Sequence, residues 1–103
     1  MSDRTVALER LLEARPDDPR LLFGLALEYL KDERLGDGVE TLRRYLERAD
    51  DEGNAWGRLA EALLRMDRGE EAREAYRRGA DAALRHGHPS MAEEFEQALE
   101  DLA

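Results

Sequence analysis

The chain has 103 residues, 40% of them charged and 6% aromatic, and carries a formal net charge of −9. That length suits one domain around one continuous core, and the acidic balance excludes general nucleic-acid binding, because phosphates need a basic surface. Cysteine is absent, which excludes disulfides and thiolate metal sites.

No apolar run approaches the roughly 18–20 residues that a membrane helix needs, so no membrane partner is expected. The first residues, Met1-Ser-Asp-Arg-Thr, lack a basic segment followed by an apolar one. The expected location is therefore the cytoplasm. The apolar residues are periodic rather than sparse, which argues against disorder. The charge is unevenly placed: residues 1–35 and 36–86 each sum to −2, whereas residues 87–103 carry −5 with no Lys or Arg.

The spacing of Val6, Leu8, Leu11 and Leu12 predicts a first helix over 3–14, with Ser2 as its N-cap. Pro16-Asp-Asp-Pro19 breaks it. Asp18 can cap the second helix, 19–32, with Pro19 at the first position, where a missing N–H costs nothing. That helix is apolar nearly all round, from Leu21 to Leu30, and a helix of this kind is expected to be covered all round. A turn is expected around Leu35-Gly36-Asp37. The third helix, 36–49, sets Val39, Leu42, Tyr45 and Leu46 against Glu40, Arg43, Arg44 and Glu47.

Asp50-Asp51-Glu52-Gly53 offers an N-cap and negative charge to the fourth helix, 53–66. The Asp67-Arg68-Gly69 turn leads into the fifth, 69–86, with Ala72, Ala75, Tyr76, Gly79, Ala80, Ala83 and Leu84 expected inward. Gly87 ends it, and Pro89 opens the sixth, 89–102. There Met91, Phe95, Ala98, Leu99 and Leu102 form one apolar stripe beside Glu93, Glu94, Glu96, Glu100 and Asp101.

The chain repeats itself with a period of 34 residues. Leu22, Leu25, Tyr29 and Leu42 return as Trp56, Leu59, Leu63 and Tyr76, and the small residues Ala26 and Gly38 return as Ala60 and Ala72. Surface positions repeat too, among them Arg34/Arg68, Glu40/Glu74 and Arg43/Arg77. A fixed period carried by large and small positions together marks stacked helical hairpins. The small residues belong where two helices cross closely, and a larger side chain there costs roughly 1–3 kcal/mol. Trp56 is expected to anchor the second hairpin, at on the order of 3–5 kcal/mol for Trp56→Ala.

This pattern resembles the tetratricopeptide repeat family, whose motif is Trp-x2-Leu-Gly-x2-Tyr, then Ala-x3-Phe, then Pro. Trp56, Leu59, Ala60, Leu63, Ala72 and Tyr76 match it with conservative swaps, and Leu22, Leu25, Ala26, Tyr29, Gly38 and Leu42 match it again. The closing proline is missing from both complete repeats, where Asp50 and Leu84 stand, and occurs once, at Pro16. The resemblance implies an all-α fold, a right-handed solenoid of antiparallel helical hairpins with about six helices. Its divisions within a single domain, 1–103, would be a half repeat at 3–16, repeats at 19–52 and 53–86, and a capping helix at 87–103. The last segment leaves the register, with Ser90, Glu93 and Glu94 at motif positions, as a solenoid's closing helix does.

In that family the first helix of each hairpin lines a concave face on which peptides lie. Carried over by position, the candidate peptide-binding residues are Arg20, Phe23, Leu27, Leu30 and Lys31, then Asn54, Arg58, Glu61, Leu64 and Arg65. One subclass clamps a terminal carboxylate with Lys and Asn side chains, but Phe23 and Leu27 stand where these are required. The apolar residues Phe23, Leu27, Leu30 and Leu64 instead predict an apolar or amphipathic peptide, and Lys31, Arg58 and Arg65 at its rim suggest acidic flanks on that peptide. The same face used on a second copy would make a homo-oligomer, most simply a two-fold dimer.

An enzyme is not expected. His86 and His88 make a lone His-x-His pair, short of the three or four ligands that zinc prefers. Glu70-Glu71 and Glu93-Glu94 read as solvated helix faces, and neither a nucleophile grouping nor a phosphate-cradling glycine loop occurs. Neither metal nor cofactor is predicted.

Overall fold

Six α-helices, and no strand among the described residues, make up the fold: α1 Asp3–Ala14, α2 Pro19–Lys31, α3 Leu35–Arg48, α4 Asn54–Arg65, α5 Gly69–Arg85 and α6 Pro89–Asp101. The computed structural model describes residues 2–103. The chain divides into two compact units, Met1–Asp50 and Asp51–Ala103.

In the first unit α2 lies against both α1 and α3. The Ser2 hydroxyl accepts the Thr5 N–H at 3.1 Å and so caps α1. Asp18 accepts the Arg20 N–H at 3.0 Å and caps α2, with Pro19 just inside the helix. One face of α2 joins Leu8 and Leu12 of α1 in a cluster with Leu22, Leu25 and Tyr29. The Tyr29 hydroxyl donates to Glu9 at 2.6 Å, which ties the two helices at the cluster's edge. The other face meets α3: Phe23 packs on Tyr45 with ring centroids 5.0 Å apart. Leu30 lies over Gly38, where an added Cβ would stand 2.5 Å from Leu30 Cδ2. So the helix that is apolar all round has a neighbour on two sides.

In the second unit α5 is the central helix, packed on α4 and on α6. Leu59 and Leu63 of α4 are fully buried, as are Ala72, Ala82 and Ala83 of α5. Asp51 is buried before α4, and its Oδ2 accepts both the Gly53 N–H at 2.8 Å and the Ala55 N–H at 2.9 Å. That satisfies two of the donors a helix start leaves open. Gly53 has φ 126, a region open to glycine, and a Cβ there would fall 2.7 Å from Met91 Sδ.

The hairpin turns of the two units are copies. Glu33 (φ 62) and Asp67 (φ 58) both take the left-handed conformation. The Arg34 N–H then reaches back to the Tyr29 carbonyl at 2.9 Å, and the Arg68 N–H to the Leu63 carbonyl at 2.9 Å. Both form the Schellman arrangement that closes a helix. Arg34 pairs with Asp37 at 2.8 Å and Arg68 with Glu71 at 2.6 Å, again 34 positions apart.

Two expectations are corrected. The first turn is Asp32-Glu33-Arg34 rather than Leu35-Gly36-Asp37, because Glu33 takes the left-handed position and Arg34 clamps the start of α3. Leu84 is not inward but 56% exposed. It follows Arg77 and Asp81 on the outer face of α5, and the buried face runs through Ala80 and Ala83. Leu11 is likewise 51% exposed on α1, away from the Leu8–Leu12 contact with α2.

Candidate functional site

The ten predicted peptide-binding residues divide evenly between the two units. On α2, Arg20 and Lys31 are exposed near the helix ends, while Phe23, Leu27 and Leu30 are half-buried. Phe23 is engaged with Tyr45, and Leu30 covers Gly38. On α4, Asn54, Arg58, Glu61 and Arg65 are exposed, and Leu64 is half-buried.

In the second unit three of these residues come together. Asn54, Arg58 and Glu61, with Gly57 between them, form one wall of an open groove of about 340 Å³. Positions 54, 57, 58 and 61 share one helix face by their spacing. The facing wall is α6, through Met91, Glu94 and Phe95. Sequence reading placed Met91 and Phe95 in a packing stripe and Glu94 on a solvated face, so it did not join them to α4. Leu64 and Arg65 lie outside this groove.

Two glycines seat its Phe95. A Cβ on Gly57 would meet the Phe95 ring at 2.8 Å, and one on Gly79 would meet the same ring at 2.9 Å and Trp56 Cβ at 2.9 Å. Phe95 thus reaches from α6 into a notch between α4 and α5, with its ring centroid 5.7 Å from that of Tyr76. The repeat register explains the notch. Gly57 and Gly79 stand 34 positions after Phe23 and Tyr45, the aromatic pair of the first unit. Where the first unit fills this place with its own two rings, the second leaves it to α6. That substitution was the signal available in the sequence.

The polar rim is partly pre-ordered. Arg58 Nε donates to Asn54 Oδ1 at 2.9 Å. Glu61 and the burial of the Tyr76 ring both act on the Tyr76 phenol: burial, and to a lesser degree the charge of Glu61, push its pKa up. At the start of α6, His88 Nε2 meets Glu52 Oε1 at 2.5 Å, tying that helix to the segment before α4. Among the described residues no group of three or more His, Asp or Glu side chains is placed to hold a metal ion. No described helix is long and apolar enough to cross a membrane. An apolar floor with charged walls can bind a side chain and its flanking charges, and it presents no nucleophile beside a base.

Neither a protein-family model nor a curated protein matches the chain. Among solved structures there are matches. One is the solution structure of a Bordetella parapertussis protein determined as a structural genomics target, with a TM-score of 0.79 and 27% identity. The alignment covers 99% of this chain and 89% of that one. The likeness extends over all six helices and carries no activity with it.

Proposed function

We propose that the chain is a short tetratricopeptide-like solenoid that serves as a protein–protein interaction module, binding an apolar or amphipathic peptide segment. The groove between α4 and α6 carries this reading: three residues selected by repeat position alone line it, and its floor is apolar while its rim is charged. Such a surface suits an extended or helical peptide with one buried anchor. The repeat-related turns at Glu33 and Asp67, each followed by an Arg–acid clamp, support the hairpin-repeat architecture. Leu27 and its neighbours on α2 are the corresponding surface of the first repeat.

The test is selection from an unbiased displayed-peptide library, followed by titration of the selected peptides against folded variants. Arg58→Glu and Leu27→Glu are both expected to keep their helical circular dichroism, since each side chain is at least partly exposed. The affinity of selected peptides should change by about tenfold or more in Arg58→Glu, the equivalent of about 1.4 kcal/mol, because reversing a rim charge acts on a bound peptide of either sign. Unchanged binding to both folded variants removes the proposal. Light scattering over a range of concentrations separates peptide capture from self-association.

A further inference from the structure

We infer that the occupant of the α4–α6 groove is a basic amphipathic segment of a partner protein; this rests on reading the groove as a peptide site. The ground is a mismatch in how the two helices of this unit treat their acids. On α5 three of the four acids have arginines on the same helix or at its start, Asp81 being the exception: Glu70 with Arg73, Glu71 with Arg68 at 2.6 Å, Glu74 with Arg78 at 3.0 Å. These pairs sit at helical spacing and neutralise their own surface. On α6 nothing comparable exists, because residues 87–103 hold five acids and no Lys or Arg.

Two carboxylates face the groove from opposite walls, Glu61 from α4 and Glu94 from α6. Both are exposed, and neither has an ion pair among the described residues. The rim's cation, Arg58, is held by Asn54 on its own helix. The groove therefore offers net negative charge around an apolar floor of Phe95, Met91 and Gly57. A cation bound beside that ring is shielded from part of the solvent, which strengthens its attraction to the carboxylates. The complementary ligand places an apolar side chain on Phe95 and a Lys or Arg between Glu61 and Glu94. This replaces the acidic flanks that the arginines of the repeat faces would suggest.

The experiment uses the full chain and three synthetic helical peptides: a Leu/Lys amphipathic sequence, its Leu/Glu counterpart, and a Ser/Lys control of the same charge without apolar residues. Binding is followed by amide NMR shifts and by titration calorimetry. The Leu/Lys peptide is expected to shift Gly57 and Phe95 and to bind better than either other peptide. Its affinity should fall about tenfold in Glu61→Lys/Glu94→Lys. The control Glu40→Lys/Glu47→Lys makes the same change in net charge on the first unit, at exposed positions, and should fall much less.

Equal losses in the two variants would reduce the effect to net charge and overturn the inference. Tighter binding of the Leu/Glu peptide at the same residues would also overturn it, while leaving the groove as a peptide site. Shifts at Gly57 and Phe95 that grow with protein concentration alone would assign the groove to a second copy. No shift at these residues with any of the peptides would overturn both the inference and the groove reading beneath it.

Discussion

The Phe95 seat makes a sharp prediction for single methyl groups. Replacing a helical glycine with alanine normally gains up to about 1 kcal/mol, because the glycine's backbone freedom no longer has to be lost. Gly36 and Gly69 have no atom within 4 Å of an added Cβ, so Gly36→Ala and Gly69→Ala should stabilise the chain by a few tenths to about 1 kcal/mol. Gly79→Ala is different. Its Cβ would stand 2.9 Å from Trp56 Cβ and 2.9 Å from the Phe95 ring. The ring can retreat, but Trp56 Cβ is fixed to the α4 backbone. Overpacking at such a crossing costs roughly 1–3 kcal/mol, so a net loss of about 1 kcal/mol remains after the propensity gain. Gly57→Ala meets only the tip of Phe95, at 2.8 Å, and should fall between the two cases. Urea unfolding followed by helical circular dichroism gives the order. In a Phe95→Ala background the cost of Gly79→Ala should shrink without vanishing, and a double-mutant cycle isolates the shared part. A Gly79→Ala protein as stable as Gly36→Ala would refute this packing.

Other outcomes follow from the turns, the cap and the buried phenol. Glu33→Gly should stabilise by about 1 kcal/mol, since a left-handed L-residue costs roughly 1–2 kcal/mol before glycine's entropy is counted, and Asp67→Gly should gain less because Asp tolerates that conformation better; thermal unfolding of the two variants checks the order. Asp51→Ala leaves the Gly53 and Ala55 N–H groups without their acceptor and should cost about 1–2 kcal/mol, with Asp51→Asn recovering part of it in the same assay. Burial, then the hydrogen bond to Glu9 and its charge, push the Tyr29 phenol from 10.0 up to about 12. The folded state therefore holds this proton more tightly than the unfolded state. Its contribution to stability is fully present below pH 10 and is lost as pH rises from 10 toward 12. Stability measured across that window should fall less steeply in Tyr29→Phe than in the parent chain.

The helices were legible because their ends are written in local chemistry. Ser2 and Asp18 accept backbone N–H groups, Pro19 and Pro89 sit just inside starts, and Gly87 takes a positive φ at an end. The misplaced turn shows the limit of that grammar. A left-handed residue is sought at glycine, yet Glu33 adopts it while Gly36 enters the helix, since the clamp between Arg34 and Asp37 holds α3 open from Leu35. The groove was half legible. Repeat position located Asn54, Arg58 and Glu61, but its second wall lies outside the repeat, in a helix that breaks register. Only a comparison of positions 23 and 45 with 57 and 79, aromatic against glycine, foretells that an outside ring must fill the second place.

That comparison also says what holds α6 down. Ala92 is its only residue buried as deeply as the core among the described ones. Further attachments are Met91 beside Gly53, the His88–Glu52 contact, Arg73 donating to the Leu102 carbonyl, Phe95 in its notch, and the half-buried Ala98, Leu99 and Leu102 of the same stripe. The polar contacts lie at or near the surface, where each contributes little. Phe95 supplies the large apolar area, half-buried, so Phe95→Ala should remove about 2 kcal/mol from the docking of α6. This loss is local. The expected reason is that α4 packs on α5 independently of the α5–α6 contact, with Leu59 and Leu63 of α4 fully buried. Hydrogen exchange should then accelerate by about thirtyfold along α6 while α4 and α5 keep their protection. Phe95→Leu should lie between the two, since it keeps apolar volume and loses the ring's reach. Uniform acceleration through all three helices would mean that the unit opens as one piece, and unchanged exchange in α6 would mean that the polar contacts hold it. Under the proposed function the same variant removes the groove's floor, so peptide capture should fall in step with α6 protection.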